Sequence, residues 1–217
     1  LNALPVLGSL GHEYRDSIGD SAVTADDHRA IAHEIVDTAE AAAGWARKAA
    51  GFITRVKNHG RDPHPASRRP FTVRSVVDET RALLGQRLRL EECDLVYEED
   101  PGDVTVVGDP GRLGQVLVNL VTNALDAYEE SHATGTRIVI LARATPSGTA
   151  IVVRDWAGGM PADVAARIFD ELFTTKDAGR GTGLGLSISR NLVEDGFGGT
   201  LRVDTERGVG SHFTLAI

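Results

Sequence analysis

Through the first sixty residues, positions that can share one helix face recur three and four apart. They are Leu4, Leu7, Gly11, Tyr14 and Ile18, then Ile31, Ile35, Thr38, Ala42, Trp45, Ala49, Phe52, Val56 and His59. Such 4–3 alternation puts one seam on each helix and predicts helices packed with a slight left-handed supercoil. Gly19 to Asp26 interrupts it with glycine, serine, threonine and aspartate, the residues of a turn. Residues 1–62 therefore read as a two-helix hairpin. A hairpin alone exposes its seam. Pairing with a second copy into a four-helix bundle covers it, and packing onto the chain's own second domain is the alternative. Pro63, Pro65 and Pro70 mark residues 63–70 as a linker.

Beyond the linker the period changes. Phe71 to Thr80 is a short extended start that feeds an amphipathic helix through Leu84, and Leu95–Tyr97 and Val104–Val107 read as strands. Asp109 followed by Pro110 opens a helix carrying Gln115 to Ala127. Arg137–Arg143 and Ala150–Arg154 alternate as a hairpin around Pro146-Ser-Gly148. Pro161–Phe169 reads as helix, and Leu201–Val203 with His212–Ile217 closes the sheet. The expected fold class is α+β, a helical hairpin followed by a domain over 71–217 with helices on one face of a largely antiparallel sheet.

Composition narrows the partners. The 217 residues are 41% hydrophobic and 25% charged, as in a globular chain. A net charge of −8 without a long basic run argues against nucleic acid. Cys93, the single cysteine, excludes an internal disulfide and fits a reducing cytoplasm. No apolar run approaches the ~18 residues of a membrane span. The chain begins at Leu1 inside an apolar pattern and reads as a fragment of something longer.

The candidate chemistry lies in four stretches. Asn119 and Asn123, four apart, share one face of their helix, with Val116, Leu117, Leu120, Val121 and Leu125 on the other. Paired amides on one face point to a ligand or a metal ion. Asp155-Trp-Ala-Gly-Gly-Met160 and Gly181-Thr-Gly-Leu-Gly-Leu186 are glycine clusters flanking Ile168-Phe-Asp-Glu-Leu-Phe-Thr-Thr-Lys176, and the second opens an apolar helical pattern. Backbone N–H groups at such a loop and helix start suit phosphate oxygens. Neither Gly-x-Gly-x-x-Gly nor Gly-x-x-x-x-Gly-Lys-[Ser/Thr] occurs.

In this order the four stretches resemble the N, G1, F and G2 boxes of histidine-kinase ATP-binding domains, members of the gyrase/MutL-like ATPase superfamily. The resemblance implies a Bergerat-type α/β sandwich over 71–217, with ATP and Mg²⁺ as cofactors. It puts Asn119, Asn123 and Ala127 on the ATP site, Asn123 holding the metal. It gives Asp155 the adenine amine, beside Ala157, Gly159 and Met160. Lys176, Gly181, Thr182, Gly183, Leu184, Gly185 and Leu186 match the lid over the triphosphate. One departure falls here: the family pattern Asp-x-Gly-x-Gly has Ala157 at its first glycine.

The same resemblance implies a sensor histidine kinase core. The hairpin would dimerise and carry the phosphoacceptor, an upstream sensor domain would be missing from this fragment, and a response regulator receiver domain would take the phosphoryl group in the cytoplasm. Two histidines precede glutamate, His12 before Glu13 and His33 before Glu34. His12 neighbours seam position Gly11 and precedes a hairpin long enough to pair, so it is favoured, with Glu13 orienting the imidazole or taking its proton. His33 is the alternative. The family usually places asparagine or threonine four residues beyond the acceptor, then proline; this chain has Asp16 and Ser17. Those departures and Ala157 support a rival, a catalytically silent ATP-binding dimeric signalling module. A related ATPase clamp fits less well, because such hydrolases carry a glutamate base where this chain has Asn119.

Overall fold

The structure is a computed structural model that describes residues 3–18, 20, 23–39, 42, 68–99, 102–132, 136–176 and 181–217. It divides into two compact units: Leu1–Gly60 with Thr174–Leu184, and Arg61–Phe173 with Gly185–Ile217. The seam positions Trp45, Ala49, Phe52, Val56 and His59, residues 63–67 of the expected linker and residues 177–180 of the expected lid lie outside the described residues.

In the first unit α1 spans Ala3–Ser17, and residues 25–39 are helical (α2). Thr24 and Asp27 cap α2 reciprocally. The Asp27 carboxylate accepts from the Thr24 N–H (2.9 Å) and hydroxyl (2.6 Å), while the Asp27 N–H donates to Thr24 Oγ1 (3.2 Å). His28 ties the turn to α1. Its Nε2 donates to the Ser17 carbonyl (3.2 Å), and its ring meets Tyr14 edge-on at 5.5 Å.

On α2 the expected seam positions Ile31, Ile35 and Thr38 are half-buried, as is Ala42 beyond its end. On α1 the buried residue, among those whose side chains are described, is Leu10, one position off the expected seam. Gly11 has no side chain to bury, so the leucine beside it does so. Tyr14, Ile18 (64% exposed) and Val36 remain open to solvent.

The second unit runs β1 (Arg69–Thr72), α3 (Val73–Leu90), β2 (Cys93–Glu99), β3 (Thr105–Gly108), α4 (Pro110–Ser131), β4 (Thr136–Thr145), β5 (Gly148–Asp155), α5 (Ala162–Ala165), α6 (Gly185–Phe197), β6 (Thr200–Glu206) and β7 (Gly210–Ala216). Five strands form the main sheet in the order β2-β4-β5-β7-β6, with β2 parallel to β4 and the other pairs antiparallel. Alternate residues Ile138, Ile140 and Ala142 of β4, and Ile151 and Val153 of β5, enter one core. Val73, Val76 and Val77 of α3, Leu113, Val116, Leu117 and Leu120 of α4, and Leu192 and Val193 of α6 complete it.

Two features depart from the sequence expectation. The Val104–Val107 strand is β3, and it pairs with β1 in a separate two-stranded sheet. Glu99 holds the start of that segment. It accepts from the Val104 N–H (2.7 Å), the Tyr97 hydroxyl (3.0 Å) and Arg74 (2.6 Å). Burial pushes its carboxyl pKa up, but these donors together bring it below the ordinary value. The helix expected over Pro161–Phe169 is only the four residues of α5, and turns follow it to Phe173. The turns let Phe169 meet Phe213 edge-on at 6.5 Å, with the Arg190 and Arg167 guanidiniums over Phe169 (4.0 Å) and Phe173 (4.4 Å).

Candidate functional site

Helix α4 opens where the sequence places it. Asp109 is the N-cap and accepts from the Gly111 N–H at 2.8 Å, with Pro110 in the first turn. Leu113, Leu117, Leu120, Val121, Ala124 and Leu125 enter the core. Asn119, Asn123 and Ala127 follow one another at four-residue spacing on a half-buried face.

Helix α6 meets that face. Asn119 Nδ2 donates to Ser189 Oγ at 2.9 Å, which fixes the orientation of the amide. Asn119 Oδ1 is thereby turned to the first residue of α6. A Cβ on Gly185 would lie 2.3 Å from that oxygen, so only glycine lets the helix start come this close. Ser189 is buried and was not singled out in the sequence; a small polar residue one turn into an apolar helix was the available signal. Leu186 packs against the core beside it.

Asp155 ends β5 and is 6% exposed. Its Oδ1 accepts from the Ala157 N–H (3.0 Å) and the Ser211 N–H (3.3 Å). Burial holds the carboxyl above the ordinary aspartate value, opposed by those two donors and by His212. Both bonds use the same oxygen, so Oδ2 is the atom left to meet a ligand donor.

The loop after Asp155 takes its left-handed turns at Gly158 (φ 89°) and Gly159 (φ 62°). Ala157 keeps ordinary backbone and packs with Met160 against the core, so the departure from glycine at this position brings no backbone strain. The β6–β7 turn holds the loop. The Gly208 N–H donates to the Gly158 carbonyl (2.7 Å), and the Met160 N–H donates to Thr205 Oγ1 (2.9 Å). Thr205 in turn donates to the Gly210 carbonyl (3.1 Å). Sequence reasoning passed over Thr205 and Ser211, because nothing local marks a strand residue whose partner is 45 or 56 positions away.

Tyr128 was also missed. It lies on the buried face of α4, and its hydroxyl donates to the Arg137 carbonyl (2.8 Å) and accepts from the Trp156 N–H (2.8 Å). Burial pushes its pKa up, so it stays a neutral phenol. The Arg137 and Arg154 guanidiniums lie over the Trp156 ring, 4.8 Å and 4.4 Å from its centroid.

The remaining candidates belong to the other unit. His12 and Glu13 are exposed on α1, as is Asp16, paired with Arg15 at 3.2 Å. His33 is exposed on α2, so exposure does not separate the two histidines. The two ends of the expected lid are close together. A Cβ on Gly181 would lie 2.3 Å from Thr174 Oγ1 and 3.1 Å from Lys176 Cβ, and the Lys176 N–H donates to Thr174 Oγ1 (3.2 Å). Thr182 and Gly183 are half-buried, and the Leu184 N–H donates to Thr182 Oγ1 (3.3 Å). Among the described residues, no group of three or more His, Cys, Asp or Glu side chains could hold a metal ion, and no helix is long and apolar enough to cross a membrane.

Comparison with known proteins gives this geometry its relatives. Residues 108–217 match the family described as histidine kinase-, DNA gyrase B-, and HSP90-like ATPase. The sensor histidine kinase ZraS of Escherichia coli (strain K12) is 36% identical over 141 residues, 65% of this chain and 29% of the relative. The C4-dicarboxylate transport sensor protein DctB of Rhizobium meliloti (strain 1021) is 28% identical over 213 residues, 94% of this chain and 33% of that protein. The chain thus spans about a third of these relatives' length. Among solved structures, the nucleotide-free catalytic domain of histidine kinase ThkA superposes with a TM-score of 0.60 at 30% identity, covering 68% of this chain and 93% of that one.

Proposed function

This chain belongs to the histidine kinase-, DNA gyrase B- and HSP90-like ATPase family, and from that premise we propose that it is the catalytic core of a sensor histidine kinase. The observation that carries the reading is Asp155, a buried carboxylate with one oxygen held by two backbone N–H groups and the other left for a donor. The adenine exocyclic amine is such a donor. Ala157, Gly159 and Met160 wall the base, and Asn119, Asn123 and Ala127 line the phosphate side. Lys176 and the segment Gly181, Thr182, Gly183, Leu184, Gly185 and Leu186 serve as the lid over the triphosphate.

The donors suit a hard cation. Asn119 is oriented by Ser189 to present a carbonyl oxygen at the α6 start, and Asn123 lies one turn on. Mg²⁺, held by Asn123 together with phosphates and water, would supply charge neutralisation at the β- and γ-phosphates. A ring nitrogen of His12 attacks the γ-phosphorus, the bond to the β–γ bridging oxygen breaks, and ADP leaves. Glu13 orients the imidazole and takes its proton, while Lys176 spreads the developing charge. The phosphoryl group then passes to an aspartate of a response regulator receiver.

The open apolar residues of the hairpin, Tyr14, Ile18 and Val36, support a homodimer through a four-helix bundle. The cytoplasm, where ATP is supplied, is the compartment this chemistry requires. The rival silent module rests on Asp16, an exposed carboxylate one turn past His12.

Incubation with γ-labelled ATP and Mg²⁺ is the test. The expected result is protein-bound label that is lost in acid and kept in alkali, as a phosphoramidate is. Measurable ATP binding with no label would hand the case to the silent module.

A further inference from the structure

The antiparallel pairing of β4 with β5 runs from Thr145↔Gly148 to Val139↔Arg154 and stops there. Continued by two residues in the same register, it would set Arg137 opposite Trp156. Instead the Tyr128 hydroxyl stands between those two residues. It donates to the Arg137 carbonyl and accepts from the Trp156 N–H, both at 2.8 Å. One oxygen from α4 thus replaces a direct rung and satisfies both main-chain groups while keeping them apart. The N–H it accepts from belongs to the Asp155–Trp156 peptide, so the bond fixes how Asp155 leaves the sheet. We propose that Tyr128 is a specificity-determining positioning residue, a wedge between β4 and β5 that holds Asp155 where it reads the nucleotide base. This rests on the assignment of Asp155 to the adenine amine.

The residue type suits the task. A phenol brings one donor and one acceptor on a rigid ring, and the ring is anchored in the core by α4. Phenylalanine keeps the ring and removes only the oxygen. It leaves the Trp156 N–H and the Arg137 carbonyl to find each other or go unpaired, and either outcome turns the Asp155 peptide.

The test measures ATP, ADP and GTP binding by titration calorimetry on the wild type, Tyr128→Phe and Trp156→Ala, with thermal melts alongside. Tyr128→Phe is expected to weaken ATP and ADP about tenfold, the usual scale for buried polar groups losing a partner. GTP binding should change little, so the ATP-over-GTP preference falls by the same factor. Trp156→Ala keeps the main-chain N–H and is expected to keep the preference. A Tyr128→Phe protein that melts earlier but retains the wild-type preference would overturn the proposal, since Tyr128 would then only pack. Loss of the preference in Trp156→Ala alone would overturn it too, in favour of the Arg137–Trp156–Arg154 stack. A wild type that binds ATP and GTP equally would remove the base-reading role of Asp155 and the proposal with it.

Discussion

Asp155→Asn is expected to cost the chain about a hundredfold in ATP affinity, the scale of a charge-assisted hydrogen bond replaced by two facing donors. Asparagine keeps an oxygen where Oδ1 accepts from Ala157 and Ser211, so the loop keeps its shape. It puts an NH₂ group where Oδ2 would meet the base amine. Stability should move the other way. Burial raises the folded-state pKa of Asp155, so the carboxyl favours the folded state most below the ordinary aspartate value. That contribution is lost as pH rises through the raised value, because the ionised group is then held out of water. The variant has nothing to ionise. Its melting temperature should equal or exceed that of the wild type near neutral pH, with the difference shrinking as the solution is made acid. Calorimetric titration with ATP and melts across the acid range check both halves. Unchanged ATP affinity in Asp155→Asn would remove this carboxylate from base recognition.

Gly159→Ala is expected to damage fold and binding together. Its φ of 62° lies in the left-handed region, and a Cβ there would lie 2.1 Å from the Glu206 carbonyl oxygen and 2.8 Å from that of Gly210. Both obstacles are main chain, so no rotamer change relieves them. The loop or the β6–β7 turn must move, which breaks the Gly208-to-Gly158 bond and draws Met160 away from Thr205. Strain of this kind costs about 1–3 kcal/mol, with lost hydrogen bonds in addition. For a chain of this size each kcal/mol lowers the melting temperature by about 2–4 °C. ATP binding should fall below detection at millimolar nucleotide, because the loop that walls the base is displaced. A variant that melts and binds as the wild type does would contradict the assignment of this loop.

These two residues were visible in the sequence for local reasons. A carboxylate at the end of an apolar strand, then paired glycines, is a short-range pattern. So is a pair of asparagines four apart on an otherwise apolar helix, or Asp109 before Pro110. Ser211, Thr205, Ser189 and Tyr128 act through partners far along the chain, and each alone looks like an ordinary strand or helix residue. Leu10 took the buried place on α1 because Gly11 has no side chain to offer, a packing outcome that a heptad count does not contain. The pairing of β1 with β3 needs the Glu99 network, whose members come from α3, β2 and the residue before β3. Periodicity found the strands, but their partners depend on contacts made only once the chain has folded.

ATP is proposed to phosphorylate this chain on His12. The most direct measurement is incubation with γ-labelled ATP and Mg²⁺ of the wild type, His12→Ala and His33→Ala, with ATP binding confirmed for each. Label is expected on the wild type and His33→Ala, and none on His12→Ala. Label that persists in His12→Ala and vanishes in His33→Ala would contradict it and move the acceptor to α2.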